Sequence, residues 1–83
     1  DLLISGRTAA VAAGSAGLGF GSAKALADEG VRVAICGRDA DKLERAVAEI
    51  GNGCVGFVCD VSTIDGARAF VAQATAALGQ IDI

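Results

Sequence analysis

The sequence of 83 residues predicts an α/β fold, a doubly wound parallel sheet with helices on both faces. Three observations favour this fold. Short apolar segments alternate three times with helical segments, the links between them are short, and each apolar segment is nearly continuous. Continuous apolar runs are typical of strands covered on both faces, and strand–helix alternation requires right-handed crossovers between parallel strands.

The first half of the sequence contains two strand–helix units. Residues 7–13 form the predicted first strand and residues 17–29 the first helix, which Gly30 ends in a left-handed conformation. Residues 31–36 form the second strand. Asp39 is the predicted N-cap of the second helix. The inward stripe of that helix comprises Leu43, Ala46, Val47 and Ile50.

The second half repeats this order once. A turn at 51–53 leads to a third strand at 54–59, and either Ser62 or Thr63 caps a third helix that ends at Gly79. Residues 81–83 are expected to begin a fourth strand. The inward stripe of the third helix is predicted to comprise Ala67, Phe70, Val71, Ala74 and Leu78.

Composition excludes several classes of function. A net charge of −3 and a pI near 4.6 argue against nucleic acid and anionic membranes as partners. No apolar run approaches the ~20 residues of a membrane span. Cys36, Cys54 and Cys59 lie in or beside apolar strands, and no histidine is present as a co-ligand. We therefore expect buried, reduced thiols, no metal site and a cytoplasmic protein.

A turn rich in glycine joins the first strand to the first helix, with Gly14, Gly17 and Gly19 closely spaced. Such glycines let the backbone approach an anion, and the helix N-terminus supplies free N–H groups. Close helix–strand packing alone would also require these glycines. The turn nevertheless predicts a phosphate-binding function.

Residues 12–19 resemble the T-G-x-x-x-G-x-G motif of the short-chain dehydrogenases/reductases, with Ala12 and Ala13 in place of its first Thr-Gly pair. Three further segments, 31–39, 59–61 and 79–83, resemble that family in order and spacing. The resemblance covers essentially the whole chain. It implies that residues 1–83 are a single N-terminal dinucleotide-binding (Rossmann) part, similar to 3-oxoacyl-carrier-protein reductases, with the strand order 3-2-1-4.

The resemblance also implies the cofactor contacts. The turn would hold the pyrophosphate and ribose through Gly14, Ser15, Gly17, Leu18 and Gly19. Ser15 could equally cap the helix. Asp60 and Val61 are similar to the pair that meets the adenine ring, although an aspartate at a strand end is also an ordinary turn residue.

The residues after the second strand predict NADP(H) rather than NAD(H). Proteins that bind NAD typically place an acid about 20 residues past the glycines, and the matching position here is Gly37. Arg38 follows with a guanidinium suited to bidentate phosphate binding. Asp39 is the counter-argument, because it too lies about 20 residues past Gly19. A purely structural alternative for both residues is that Asp39 caps the helix and Arg38 is a solvated charge.

The family's catalytic Tyr-x-x-x-Lys motif, serine and asparagine have no counterpart here, because they follow the fourth strand and the chain contains no tyrosine. The resemblance implies hydride transfer between the cofactor and a carbonyl or hydroxyl substrate. We assign no catalytic residue, and expect the chain alone to be inactive and to bind the adenosine end weakly or not at all.

The alternatives are a stand-alone nucleotide-binding module and an inert fragment. We expect a homo-oligomer, and an inert fragment could self-associate through the open edge of the first strand.

Overall fold

The computed structural model describes residues 7–12 and 17–81 of the chain. The strands in this part are parallel and form one sheet in the order β1-β2-β3, which confirms the predicted fold class. The predicted fourth strand falls mostly outside the described residues. In chain order the elements are β1 (Thr8–Val11), α1 (Gly17–Asp28), β2 (Arg32–Gly37), α2 (Ala40–Ile50), β3 (Val55–Val58) and α3 (Ile64–Leu78).

The middle strand, β2, is buried on both of its faces. Val33 and Ile35 pack into the cluster formed with α1 and α2, whereas Ala34 and Cys36 pack into the cluster formed with α3. Successive side chains of a strand point to opposite faces, so one strand contributes to both layers. The core therefore consists of two apolar layers that share β2.

The ends of the helices agree with the sequence. Gly30 has a φ of 87° where α1 stops. Asp39 caps α2, and Thr63 rather than Ser62 caps α3, accepting a hydrogen bond from the amide of Gly66. Gly79 ends α3 with a φ of 88°. The first and last residues of each strand differ from the predicted ones by one or two positions.

The prediction that Val71 belongs to the inward stripe of α3 is wrong, because this side chain is 55% exposed. Phe70, Ala74 and Leu78 face the sheet and are buried. In the described part of the chain α3 lies alone on its face, so no neighbouring helix covers its flank. The corresponding flank residue of α2, Val47, is half-buried, and its Cγ2 lies close to Gly56 of β3.

Asn52 ties the amino edge of the sheet to α1. Its Nδ2 donates to the carbonyls of Ala27 and Val31 at 3.2 Å each. The residue also adopts a φ of 50°, in the left-handed region that asparagine tolerates better than most residues. The turn after α2 therefore holds the end of α1 and the start of β2 together.

The end of α3 lies beside the amino ends of two strands. Nη2 of Arg32 donates to the carbonyl of Leu78 at 3.1 Å, and Oγ1 of Thr8 donates to the carbonyl of Gln80. The segment that leads into the predicted fourth strand therefore passes next to the amino end of β1.

The three cysteines are free thiols, as predicted. Cys36 and Cys54 are buried, and burial raises the pKa of the Cys54 thiol to about 11. Cys59 is only half-buried, which corrects its assignment to the core. It lies past the end of β3, where its Sγ is 3.1 Å from Oε1 of Gln73. A search of residues 7–12 and 17–81 finds no cluster of His, Cys, Asp and Glu able to hold a metal.

Candidate functional site

The candidate site lies at the carboxyl edge of the parallel sheet. Gly37 is in register with Val58, and the amide of Cys59 donates to the carbonyl of Gly37 at 3.1 Å. Arg38 follows Gly37 directly and Asp60 follows Cys59, so both residues lie just beyond the carboxyl ends of neighbouring strands. Open parallel sheets bind their ligands outside this edge.

Arg38 occupies the link between β2 and α2 and is exposed. The preceding Gly37 is buried and ends the strand, so the arginine is the first residue that leaves the sheet. Its positive charge is one of the causes that lower the pKa of Asp60. The charge of Arg38 therefore acts on the carboxylate of Asp60, the other predicted site residue at this edge.

The Asp39 side chain is engaged in capping α2. Its Oδ1 accepts hydrogen bonds from the amides of Asp41 at 3.0 Å and Lys42 at 3.1 Å. The bond from the Lys42 amide is the main reason that the pKa of Asp39 lies below its ordinary value. Asp39 therefore has the structural function that the sequence offered as the alternative to ribose binding.

Asp60 begins the turn between β3 and α3. Its Oδ1 accepts a hydrogen bond from the Ser62 hydroxyl at 2.5 Å and from the Ser62 amide at 3.0 Å. The hydroxyl bond is the largest cause of a lowered Asp60 pKa, the amide bond is the next favourable one, and the Arg38 charge adds to both. The carboxylate is therefore ionised near neutral pH.

Val61 is half-buried and packs against the cluster on the α3 face of the sheet. Its side chain thus has a packing function, and the predicted contact of this residue with adenine stays a prediction. The same holds for the glycine turn. Gly14 and Ser15 lie outside the described residues, whereas Gly17 and Leu18 are the first two residues of α1 and Gly19 is half-buried in its first turn.

Sequence reasoning missed Gly66, which shapes the turn that carries Asp60. A Cβ atom added to Gly66 would overlap the carbonyl oxygen of Asp60 and lie 2.9 Å from Oγ1 of Thr63. The amide of Gly66 donates to that Oγ1 at 3.0 Å. The signal available in the sequence was a glycine three residues after a threonine cap, where a bare backbone fits.

The described helices include none long and apolar enough to cross a lipid bilayer. This finding agrees with the hydropathy of the sequence.

Comparison with known proteins places this chain in a family. A family model for short chain dehydrogenase matches residues 7–83. A short chain dehydrogenase of Pseudocercospora fijiensis is 37% identical over 83 residues, covering 96% of this chain and 27% of that protein. A 2,5-dichloro-2,5-cyclohexadiene-1,4-diol dehydrogenase of Sphingobium indicum is 33% identical over 79 residues, covering 95% and 32% of the two chains.

A solved structure agrees with the computed fold. The crystal structure of a 3-ketoacyl-(acyl-carrier-protein) reductase from Brucella melitensis, complexed with NADH, superposes with a TM-score of 0.87. It is 32% identical, and the match covers 95% of this chain and 32% of that one. The chain spans about a third of the length of the relatives that it matches. On the family match and these relatives together, the chain belongs to the short-chain dehydrogenase family of oxidoreductases, which bind a nicotinamide dinucleotide.

Proposed function

We propose that residues 1–83 are the cofactor-binding part of a cytoplasmic oxidoreductase that transfers hydride between NADP(H) and a carbonyl or hydroxyl substrate. The observation that carries the proposal is that Arg38 and Asp60 both lie just beyond the carboxyl ends of neighbouring parallel strands, where the Arg38 charge acts on the Asp60 carboxylate. The bound cofactor would supply or accept the hydride, and the residues of this chain would bind and orient it.

The side chains present at this edge fit the adenosine end of such a cofactor. An exposed guanidinium is a bidentate donor for a phosphate, and an ionised carboxylate accepts hydrogen bonds from an amine. Arg38 would hold a 2′-phosphate, while Asp60 and Val61 would meet the adenine. The pyrophosphate and ribose would lie against Gly14, Ser15, Gly17, Leu18 and Gly19.

The proposed preference for NADP(H) depends on the residues that follow β2. Gly37 offers no carboxylate to repel a 2′-phosphate, and the Oδ1 atom of Asp39 already accepts two hydrogen bonds from α2. Arg38 is the exposed, positively charged side chain of this link. The Brucella melitensis reductase was crystallised with NADH, so the preference for NADP(H) is argued from this chain's own residues.

We assign no catalytic residue to residues 1–83. The sequence contains neither tyrosine nor histidine, and the buried Cys54 thiol has a raised pKa that keeps it protonated. General acid–base catalysis near neutral pH needs a group that titrates in that range. The proposed contribution of this chain is therefore binding and orientation, and by itself it should not transfer hydride.

The test is a titration of the isotopically labelled protein with NADP⁺ and with NAD⁺, followed by amide chemical shifts. This measurement detects millimolar as well as tighter binding. We expect NADP⁺ to bind more tightly and to shift the amides that follow β2 and β3. In Arg38→Ala the preference for NADP⁺ should fall about tenfold or more, as expected from losing charge-assisted hydrogen bonds to a phosphate.

Arg68→Ala is the matched control, because Arg68 is an exposed arginine of α3 and carries the same charge. It should leave the ratio of the two affinities unchanged. Equal or tighter binding of NAD⁺ by the unmodified protein would overturn the preference for NADP(H). Of the two outcomes that the sequence allows for the chain alone, weak binding and no binding, the proposal requires weak binding. An absence of shifts with both dinucleotides would therefore overturn cofactor binding by this chain.

A second candidate is self-association through β1. In the described part of the chain, β1 pairs with a strand on one side only, and such an edge is a template for another chain. Gel filtration at several protein concentrations, with and without NADP⁺, separates the candidates. Dimers that form with concentration and ignore the ligand would favour self-association, whereas a monomer stabilised by NADP⁺ would favour the cofactor-binding module.

A further inference from the structure

The two carboxylate oxygens of Asp60 have different surroundings. Both hydrogen bonds from Ser62, at 2.5 Å from its hydroxyl and 3.0 Å from its amide, end on Oδ1. Within residues 7–12 and 17–81, no group donates a hydrogen bond to Oδ2 of Asp60. The residue is exposed to solvent. Two donors on one oxygen fix the plane of the carboxylate and leave the other oxygen available as an acceptor.

The backbone that carries this carboxylate is also held in place. Oγ1 of Thr63 donates to the Asp60 carbonyl at 3.1 Å and accepts from the Gly66 amide at 3.0 Å. The close approach of Gly66 leaves no space for a side chain at that position. Main chain and carboxylate are thus fixed by separate hydrogen bonds. Removing the Ser62 hydroxyl should therefore loosen the carboxylate, which keeps only the bond from the Ser62 amide, without unfolding the turn.

We propose that Ser62 is a positioning residue that determines which purine this site accepts. It fixes the Asp60 carboxylate so that Oδ2 receives a hydrogen bond from the exocyclic amine of adenine. In a purine with a carbonyl oxygen in place of that amine, this oxygen would face Oδ2. Because both atoms are hydrogen-bond acceptors, they would repel each other, and the site would reject that purine. This inference rests on the proposed function, since it requires Asp60 to meet the base.

The charge of the carboxylate supports this arrangement. Ionised carboxylates only accept hydrogen bonds, whereas a protonated carboxyl could donate to a carbonyl and lose the discrimination. The Ser62 hydroxyl, the Ser62 amide and the nearby Arg38 charge all lower the pKa of Asp60. At neutral pH the side chain can therefore distinguish an amine from a carbonyl oxygen.

The test compares two probes, NADP⁺ and its analogue with hypoxanthine in place of adenine. The ratio of their dissociation constants is measured for the unmodified protein, Ser62→Ala, Ser62→Thr and the control Thr75→Ala, which removes an exposed hydroxyl from α3. We expect the ratio to fall about three- to tenfold in Ser62→Ala, as for a modest hydrogen-bond contribution. Ser62→Thr, which retains a hydroxyl, and Thr75→Ala should keep the original ratio.

A second measurement needs no ligand. The pKa of Asp60, followed through its carboxyl carbon shift, should rise in Ser62→Ala and return in Ser62→Thr. An unchanged affinity ratio or an unchanged Asp60 pKa in Ser62→Ala would overturn the assignment of Ser62, even if NADP⁺ still binds. Failure of the unmodified protein to bind either dinucleotide would instead overturn the proposed function, and this inference with it.

Discussion

The amide of Cys59 donates a hydrogen bond of 3.1 Å to the carbonyl of Gly37, which joins the ends of two parallel strands. Each of these residues is followed directly by a charged candidate, Asp60 and Arg38 respectively. A bond at this point restricts the separation of the Arg38 and Asp60 backbones before any ligand arrives.

Gly66→Ala should destabilise the protein and displace Asp60. The added Cβ would overlap the carbonyl oxygen of Asp60, a backbone atom that cannot rotate away. We expect a loss of about 2–4 kcal/mol in the free energy of unfolding, at the upper end for steric overpacking. Urea denaturation measures it. Gly21→Ala is the helical control, because nothing lies within 4 Å of its Cβ, and it should be neutral or stabilising.

Gly56→Ala should destabilise the layer between β3 and α2. Its Cβ would lie 2.7 Å from Cγ2 of Val47 and 3.1 Å from Cδ1 of Leu43. The expected cost is about 1–3 kcal/mol in the free energy of unfolding. In a Val47→Ala background the same change should cost less, because the obstructing methyl group is gone. Additive costs in the double variant would contradict the contact.

Asn52→Ala should be more harmful than Asn52→Gly. Both variants lose the hydrogen bonds from Nδ2 to Ala27 and Val31, but only alanine must also adopt a φ near 50°. We expect Asn52→Ala to cost about 1–3 kcal/mol in the free energy of unfolding. Equal destabilisation in thermal unfolding would show that the left-handed conformation contributes nothing.

Protonation of the Asp39 carboxylate should destabilise the folded protein at acidic pH. Hydrogen bonds from the amides of Lys42 and Asp41 lower the pKa of this carboxyl in the folded state. Its contribution is therefore complete above the ordinary aspartate pKa and is lost as the pH falls through the lower folded value. Between pH 5 and pH 2, Asp39→Ser, which keeps a neutral cap, should lose less stability than the unmodified protein. An identical pH dependence would exclude a capping contribution from Asp39.

The sequence predicted the layers of the fold because strand–helix alternation and the helix caps are local signals. Gly30, Asp39 and Gly79 each end or begin an element where expected. Val71 was misassigned because helical spacing defines the direction of a residue but not the width of the surface that covers it. Exposure on a flank depends on neighbouring elements, which local patterns do not describe.

The candidate site was predictable only in part. Arg38 and Asp60 could be named from the ends of their strands, since parallel strands end at one edge of the sheet. The engagement of Asp39 in capping could be offered only as an alternative, because a carboxylate between a strand and a helix suits both functions. Gly66 and the paired bonds from Ser62 to one oxygen are contacts within a turn, and residue patterns do not specify them.

The position of β2 between both apolar layers has a consequence for motion. Neither layer can open without exposing Val33, Ile35 or Cys36, so the β2 amides should exchange with deuterium only when the entire domain unfolds. Arg38 directly follows the strand that we expect to open most slowly among the described elements. Its backbone should therefore be restricted before a dinucleotide arrives, so that binding costs little conformational entropy there.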